Sequence, residues 1–204
     1  MLFRSLAFDL ARDLAPVILT VQYPFIRIAH PGLPASNVKE LAEHVRARPG
    51  QVTYASTGSG SIPHLTGAQF ALMSNASMVH VSYKGAAPAM VDLLSGQVQV
   101  AFMNPLTAMP HIKTGRIRAF AVSTARRASV VPDLPTMQEA GYKDFDHSAW
   151  FGIVTRAGSP AAAIDRLHAE TTRALALPEV RERLQAQGFD LVPGTPQQFG
   201  ATIR

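Results

Sequence analysis

The chain of 204 residues carries 19 basic and 14 acidic side chains, a formal net charge of +5 and no cysteine. Disulfides, thiolate metal sites and cysteine nucleophiles are therefore excluded, and a composition of 47% hydrophobic and 16% charged residues is that of a globular protein. The basic excess favours acidic small molecules or anionic surfaces as partners, whereas scattered basic residues without interleaved aromatic residues argue against nucleic acid.

The first twenty residues resemble a signal peptide only superficially. Arg4 precedes apolar residues, but Asp9, Arg12 and Asp13 interrupt them, and no small-residue cleavage site follows. We therefore expect no signal peptide in this stretch. The sequence has no apolar run of the length that a membrane span needs, so we also expect no membrane insertion.

The region from Val17 to Ala29 is apolar and β-branched and is broken by Pro24, which predicts a strand pair or one long bent strand. A turn-rich linker, His30 to Ser36, follows it. Ser36 or Asn37 can then cap a helix over 38–47, in which apolar residues recur at helical spacing.

Strands and helices alternate after this helix. The sequence predicts strands at 52–56, 78–83, 98–103 and 117–123, with helices between them at 65–76, 84–96 and 104–115. Such alternation is typical of βαβ units with a mostly parallel sheet, and the apolar character of the strands predicts helices on both faces.

The last part of the chain predicts a turn and short helix over 132–142, a strand over 148–158, and helices over 159–176, 177–188 and from 195 onward. Ser159 is the expected cap of the first of these three helices. The natural boundaries lie at His30–Pro31 and near Ser148, so we expect a self-contained α/β unit over 31–148.

Three predicted strand ends lead into polar or glycine-bearing loops, at Ser56–Ser61, Tyr83–Ala86 and Asn104–Thr107. In an open parallel sheet, ligands bind outside the carboxyl ends of the strands, and the free amides of helix starts favour an anion there. The alternative is that these loops are ordinary turns whose Ser and Thr side chains cap helices. The convergence of three loops favours the ligand site.

Enzymatic chemistry lacks its usual signatures. The loop "TGSGS" has the spacing of neither a phosphate loop, a dinucleotide fingerprint nor a hydrolase elbow. His64, His80 and His111 look isolated, which favours surface or packing roles over a metal site, and no carboxylate pair is evident. Trp150 is interpreted as a buried boundary residue, or else as a residue lining a cleft.

Five segments, "YASTGSGSIPHLTGAQF", "VHVSYKGAAPAMVDLLSGQVQVAFMN", "HIKTGRIRAFAVSTARR", "LPTMQEAGY" and "WFGIVTRAGSP", occur in an order and spacing that resemble one known family. They are similar to the tripartite tricarboxylate transporter substrate-binding proteins, also called the Bug or TctC family. The resemblance implies an α/β fold of the periplasmic-binding-protein-like (type II) kind. Residues 31–148 would form one complete α/β ligand-binding lobe, the family's second, and 1–30 with 149–204 an incomplete remainder of the first, its N-terminal part missing.

The same resemblance implies a function. Family members are extracytoplasmic, periplasmic and non-enzymatic, need no cofactor or metal, and capture a small carboxylate between two lobes. They deliver it to the membrane subunits of a tripartite tricarboxylate-type transporter, and a complete chain is expected to be monomeric. A carboxylate-sensing binding protein for a signalling system and a non-functional truncated fragment stay open as alternatives.

The resemblance also assigns candidate site residues. Carried over position by position, the ligand-binding residues are Ser56, Thr57, Gly58, Ser59, Gly60, Ser61, Tyr83, Lys84, Gly85, Asn104 and Thr107. Many relatives have an aspartate where this chain has Met103, and a proline in place of Ser82. Met103 is expected to remove a carboxylate from the cleft region and so to favour a plain carboxylate ligand over an amino acid.

Overall fold

The computed structural model describes residues 9–203, which divide into two compact units. The central unit is Pro24–Ala149, and the terminal unit joins 9–23 to 150–203. The first eight residues of the stretch expected to lack a signal peptide lie outside the described residues. Within the described part, no helix has the length and apolar character that crossing a membrane requires.

The helices and strands follow one another in the order α1 (Leu10–Asp13), β1 (Leu14–Pro24), β2 (Ile26–Ala29), α2 (Val38–Arg46), β3 (Val52–Ser56), α3 (Ile62–Met73), β4 (Met78–Ser82), α4 (Ala86–Leu94), β5 (Val100–Met103), α5 (Pro105–Lys113), β6 (Arg118–Val122), β7 (Ser148–Arg156), α6 (Ala161–Ala176), α7 (Pro178–Ala186), β8 (Asp190–Leu191) and α8 (Pro196–Ile203).

The central unit is built on a five-stranded sheet in the order β4-β3-β5-β2-β6. β3 runs parallel to β4 and to β5, whereas β2 is antiparallel to both β5 and β6. The prediction of a mostly parallel sheet is therefore confirmed, with β2 as the exception. The sequence predicts a unit over 31–148, and in the structure the central sheet also includes β2, which is buried along its whole length and pairs with β5 and β6.

Both faces of this sheet are covered. On one face Ile26 and Ile28 pack with Met90 and Leu93 of α4 in a buried cluster. On the other face the intervening Arg27 lies against Phe70 of α3. The prediction that helices cover both faces of the sheet is therefore confirmed.

The helix α2 begins where the sequence predicts. The Asn37 side chain accepts a hydrogen bond from Glu40 N, and the Glu40 carboxylate accepts from Ser36 N and from the Asn37 amide in return. This reciprocal arrangement satisfies backbone donors that no earlier helical turn can reach. The apolar residues of the helix, Val38, Leu41, Ala42 and Val45, are buried.

Two predicted helix features are wrong. No helix forms over 132–142, although Thr136 N and the Glu139 carboxylate make a capping contact. The turn stops at Gly141, whose φ of 99° is incompatible with continuing a right-handed helix. Ser159 does not cap α6, since its hydroxyl donates to Arg156 O at 2.8 Å and the helix begins after Pro160.

The terminal unit contains a three-stranded sheet in the order β7-β1-β8, with β1 and β8 antiparallel. Its small buried core consists of Val17 and Ile18 with Leu175 of α6. β7 has β1 as its neighbour on one side and is mostly exposed. Trp150, expected to be buried, is 41% exposed and packs edge-on against Phe199.

Candidate functional site

The carboxyl edge of the central sheet brings two of the predicted loops into contact. β3 and β4 are paired in register up to Ser56 and Ser82. Tyr83 N donates to Ser56 O at 3.0 Å, and the hydroxyls of Ser59 and Ser82 lie 3.5 Å apart. β5 is parallel to β3, so Asn104, which follows β5, lies at the same edge of the sheet.

Most of the polar groups of the Ser56–Ser61 loop are used to hold the loop itself. The buried Ser56 Oγ accepts from Gly58 N at 3.2 Å, and Gly60 N donates to His64 Nδ1 at 2.9 Å. Ser61 N donates to Gly58 O at 3.1 Å, and Ser61 Oγ donates to the same oxygen at 2.7 Å. Gly58 and Gly60 have φ values of 145° and 82°, which require glycine.

Two backbone donors of this loop stay available. Within residues 9–203, the amides of Thr57 and Ser59 donate to no other atom. Both belong to residues at the loop surface, half-buried and exposed respectively. Of the backbone amides of this loop, only those of Thr57 and Ser59 can therefore donate to a ligand, because those of Gly58, Gly60 and Ser61 donate to atoms of the protein.

The Tyr83–Gly85 corner offers a cation and an open helix start. Lys84 is exposed and pairs with no other described residue. Gly85 begins α4 with a φ of 115° and without a side-chain cap, and the space where a side chain would point is open. The capping alternative therefore does not apply here, because no side chain caps the first turn of α4.

Tyr83 has a structural role in this arrangement. Its hydroxyl donates to Asp92 Oδ2 at 2.7 Å, and its ring packs on the buried cluster that contains α4. Burial, followed by the bond to Asp92, raises the pKa of the Tyr83 phenol to about 12. The phenol is therefore a neutral donor committed to Asp92, and Tyr83 contributes position to the corner rather than a free hydroxyl.

Asn104 and Thr107 form one hydrogen bond with each other and keep further polar groups for other partners. The Asn104 side-chain oxygen accepts from Thr107 N at 2.9 Å and so caps α5. Within the described range, the Asn104 amide nitrogen and the Thr107 hydroxyl have no hydrogen-bond partner. The capping interpretation is correct for the oxygen, and the nitrogen and hydroxyl are the groups left for a ligand.

The expectation drawn from Met103 is wrong. Met103 is 1% exposed and belongs to the buried cluster beneath α4 and α5. Its side chain therefore fills the core and does not face the polar edge. The residue at this position gives no information about whether the ligand carries an ammonium group.

Sequence reasoning missed a pair of histidines beneath the loop. The rings of His64 and His80 are stacked with centroids 3.9 Å apart and planes inclined by 15°. His80 Nε2 lies 2.7 Å from Ser56 Oγ, and the Tyr54 ring lies 4.9 Å from that of His80. Their separation along the chain carries no signal of this contact, since α3 and the parallel pairing of β3 with β4 create it. Among residues 9–203, no group of three potential metal ligands is close enough to hold a metal ion.

Comparison with known proteins now identifies the family. The model of the family described as "Tripartite tricarboxylate transporter family receptor" matches residues 1–204. The chain belongs to this family. The resemblance expected from the sequence is thereby confirmed.

Two curated relatives are Protein BugT of Bordetella pertussis, 34% identical over 197 residues, and a UPF0065 protein of Pseudomonas sp. strain P51, 32% identical over 187 residues. The match to BugT includes 97% of this chain and 60% of BugT, and the match to the UPF0065 protein includes 91% of this chain and 56% of that protein. The chain thus spans a little more than half of these relatives.

Solved structures agree with the fold. An R. palustris protein with adipate has a TM-score of 0.91 at 29% identity, with 99% of this chain covering 68% of that one. MatC from Rhodopseudomonas palustris with bound malate has a TM-score of 0.86 at 29% identity, with coverages of 99% and 70%. The periplasmic binding protein BugD has a TM-score of 0.83 at 33% identity, with coverages of 93% and 64%. The predicted α/β, periplasmic-binding-protein-like fold class is confirmed.

Proposed function

We propose that this protein captures a small dicarboxylate at the carboxyl edge of the central sheet, in the periplasm, and delivers it to the membrane subunits of a tripartite tricarboxylate-type transporter. The observation that carries the proposal is the Ser56–Ser61 loop, which is held rigidly by its own bonds yet keeps the Thr57 and Ser59 amides free. Donors fixed in advance bind an anion without a further loss of loop entropy.

Charge and position support the same ligand class. Lys84 and the uncapped start of α4 lie beside the loop, and both favour negative charge. Asn104 and Thr107 add neutral donors at the next strand end. The relatives solved with adipate and with malate carry ligands that are both dicarboxylic acids.

The experiment is isothermal titration calorimetry of the full chain with adipate and with malate, and with the uncharged diamide of adipate as the ligand control. We expect heat of binding from at least one acid and none from the diamide. Thermal denaturation gives a second measure, because a ligand at a hundredfold excess over its Kd stabilises by about 2.7 kcal/mol.

Matched variants locate the site. Thr57→Pro removes the backbone donor and should weaken binding by about tenfold to a hundredfold, whereas Thr57→Ala keeps the amide and should bind nearly as tightly as the wild type. Lys84→Gln, at an exposed position, should also weaken binding. Equal affinity of all three variants and the wild type would place the ligand elsewhere, and the absence of binding by every acid would reject the proposal.

A further inference from the structure

The stacked histidines contact the candidate loop from below at two points. His64 lies in the first turn of α3 and accepts from Gly60 N through Nδ1 at 2.9 Å. His80 lies in the middle of β4 and contacts Ser56 Oγ through Nε2 at 2.7 Å. Each ring thus contacts the Ser56–Ser61 loop, and the two rings contact each other.

The hydrogen bonds distinguish the two rings. Gly60 N can only donate, so His64 Nδ1 must be unprotonated and the neutral ring carries its proton on Nε2. A second proton on His64 would place two N–H groups against each other and break the contact with Gly60. His80 faces a hydroxyl instead, which can accept from its Nε2 while donating its own proton to Gly58 O, 3.1 Å away. A proton on His80 therefore requires no atom of the loop to move.

Two charged rings cannot coexist at a centroid distance of 3.9 Å, because like charges this close raise the cost of the second proton strongly. The pair accordingly accepts one proton, on His80, whose Nε2 lies 2.7 Å from Ser56 Oγ at the start of the loop. We infer that His64 and His80 are positioning residues of the loop and that, through their shared proton, capture of a carboxylate is linked to proton uptake. The inference rests on the proposed function.

The other charged or titratable groups near the two rings keep one charge state between pH 6 and pH 8. Tyr54 of β3 contacts both rings, and burial raises the pKa of its phenol, so it stays neutral below pH 8. Arg27 of β2 interacts electrostatically with Tyr54 and is charged throughout this range. In the described part of the chain, no carboxylate forms an ion pair or hydrogen bond with either ring.

The sign of the effect follows from these contacts. Burial, and then the neighbouring His64, lower the pKa of His80 below its ordinary value, so His80 of the unliganded chain is mostly neutral above pH 7. An anion at the loop amides raises that pKa again, so binding takes up a proton and tightens as the pH falls. A rise of about one unit corresponds to a gain of up to about tenfold in affinity, and we expect about threefold to tenfold between pH 8 and pH 6.

The test is calorimetry of the full chain with adipate and with malate between pH 8 and pH 6, where both acids stay largely ionised. Each titration is repeated in two buffers of different ionisation enthalpy, which gives the number of protons taken up. We expect a positive uptake of less than one proton per acid bound. The imidazole ¹⁵N shifts of the unliganded chain should show one ring of the pair taking a proton while the other does not.

Three variants test whether the pH dependence of binding comes from the His64–His80 pair. His80→Gln keeps an N–H donor for Ser56 but cannot titrate, so binding should persist with no pH dependence. His64→Asn keeps an acceptor for Gly60 and removes the neighbouring ring, so the pH dependence should persist and move to higher pH. His111→Gln, at a histidine of α5 outside the pair, should behave as the wild type.

The outcomes are distinguishable. Binding that is equally tight at pH 8 and pH 6, or a slope that survives His80→Gln, overturns the inference while leaving the proposed function in place. Independent protonation of both rings in the unliganded chain also overturns it, whether or not the variants fold. Absence of binding by either acid at every pH rejects the proposed function and the inference together.

Discussion

Replacing Arg27 by methionine should leave the free energy of unfolding unchanged or raise it, although Arg27, on β2, is completely buried. Its guanidinium lies 4.3 Å from the ring centroid of Phe70 and 4.8 Å from that of Phe102. Nη2 contacts the sulfur of Met78 at 3.8 Å, while Nε and Nη1 are buried without a hydrogen-bond partner. No carboxylate among the described residues forms an ion pair with it.

The magnitude follows from two opposing effects. Burial lowers the pKa of Arg27 from 12.5 to about 9, which corresponds to a cost of roughly 5 kcal/mol for keeping the charge. Two desolvated cation–π contacts return about 2 kcal/mol each. The cost of burying the charge and the gain from the cation–π contacts nearly cancel. Methionine is flexible and apolar and can still pack between the two rings, so Arg27→Met should change the free energy of unfolding by between zero and an increase of about 4 kcal/mol.

Urea unfolding followed by circular dichroism measures the change, with an unchanged m-value as the condition for comparing stabilities. Fluorescence of Trp150, the single tryptophan, reports the terminal unit separately. Arg27→Lys is the control, because an amine cannot lie flat on two rings and leaves a buried nitrogen unsatisfied; it should cost about 1–3 kcal/mol. A loss of more than about 2 kcal/mol in Arg27→Met would show that the stacked cation is a net stabiliser.

Three further substitutions test other parts of the structure. Gly67→Ala should lower the free energy of unfolding by about 1–3 kcal/mol, since the added methyl group overlaps the buried ring of Tyr54; an unchanged thermal midpoint would contradict this packing. Tyr83→Phe removes the 2.7 Å bond to Asp92 and should cost about 1.5–3 kcal/mol. It should also abolish, in a spectrophotometric titration, the tyrosine that ionises near pH 12. Among the described residues β7 pairs with β1 alone and exposes apolar side chains, so we expect this chain to self-associate along that strand. Val154→Lys places a charge there and should shift the chain toward monomer in sedimentation velocity; a distribution identical to that of the wild type would exclude β7 as the associating strand.

Local patterns in the sequence predict most of the central unit. The apolar residues of α2 recur at helical spacing, Asn37 supplies the cap, and both become the observed helix and its reciprocal contact with Glu40. The order of strands and helices likewise predicts a mostly parallel sheet, because short buried strands separated by helices have few other arrangements. These features depend on residues near one another in the chain.

The features that the sequence does not reveal depend on distant residues. β2 belongs to the central sheet because it pairs with β5 and β6, and the residues of Ile26–Ala29 do not indicate which strands they will pair with. The stacking of His64 on His80 depends on the crossover between two parallel strands. Met103 follows the alternation of its strand into the core, which a comparison of residue types at one position cannot show.

The placement of β2 has a consequence for synthesis on the ribosome. Ile26 pairs with Met103, which is translated 77 residues later, and with Val122, which comes later still. At translation rates of about 5–20 residues per second, β2 waits roughly 4–15 s for its first neighbour. Throughout that interval a strand destined for complete burial has no partner on either edge. An unpaired apolar strand is a site for association with other chains, so a translational pause before β6 has emerged would prolong the exposure of β2.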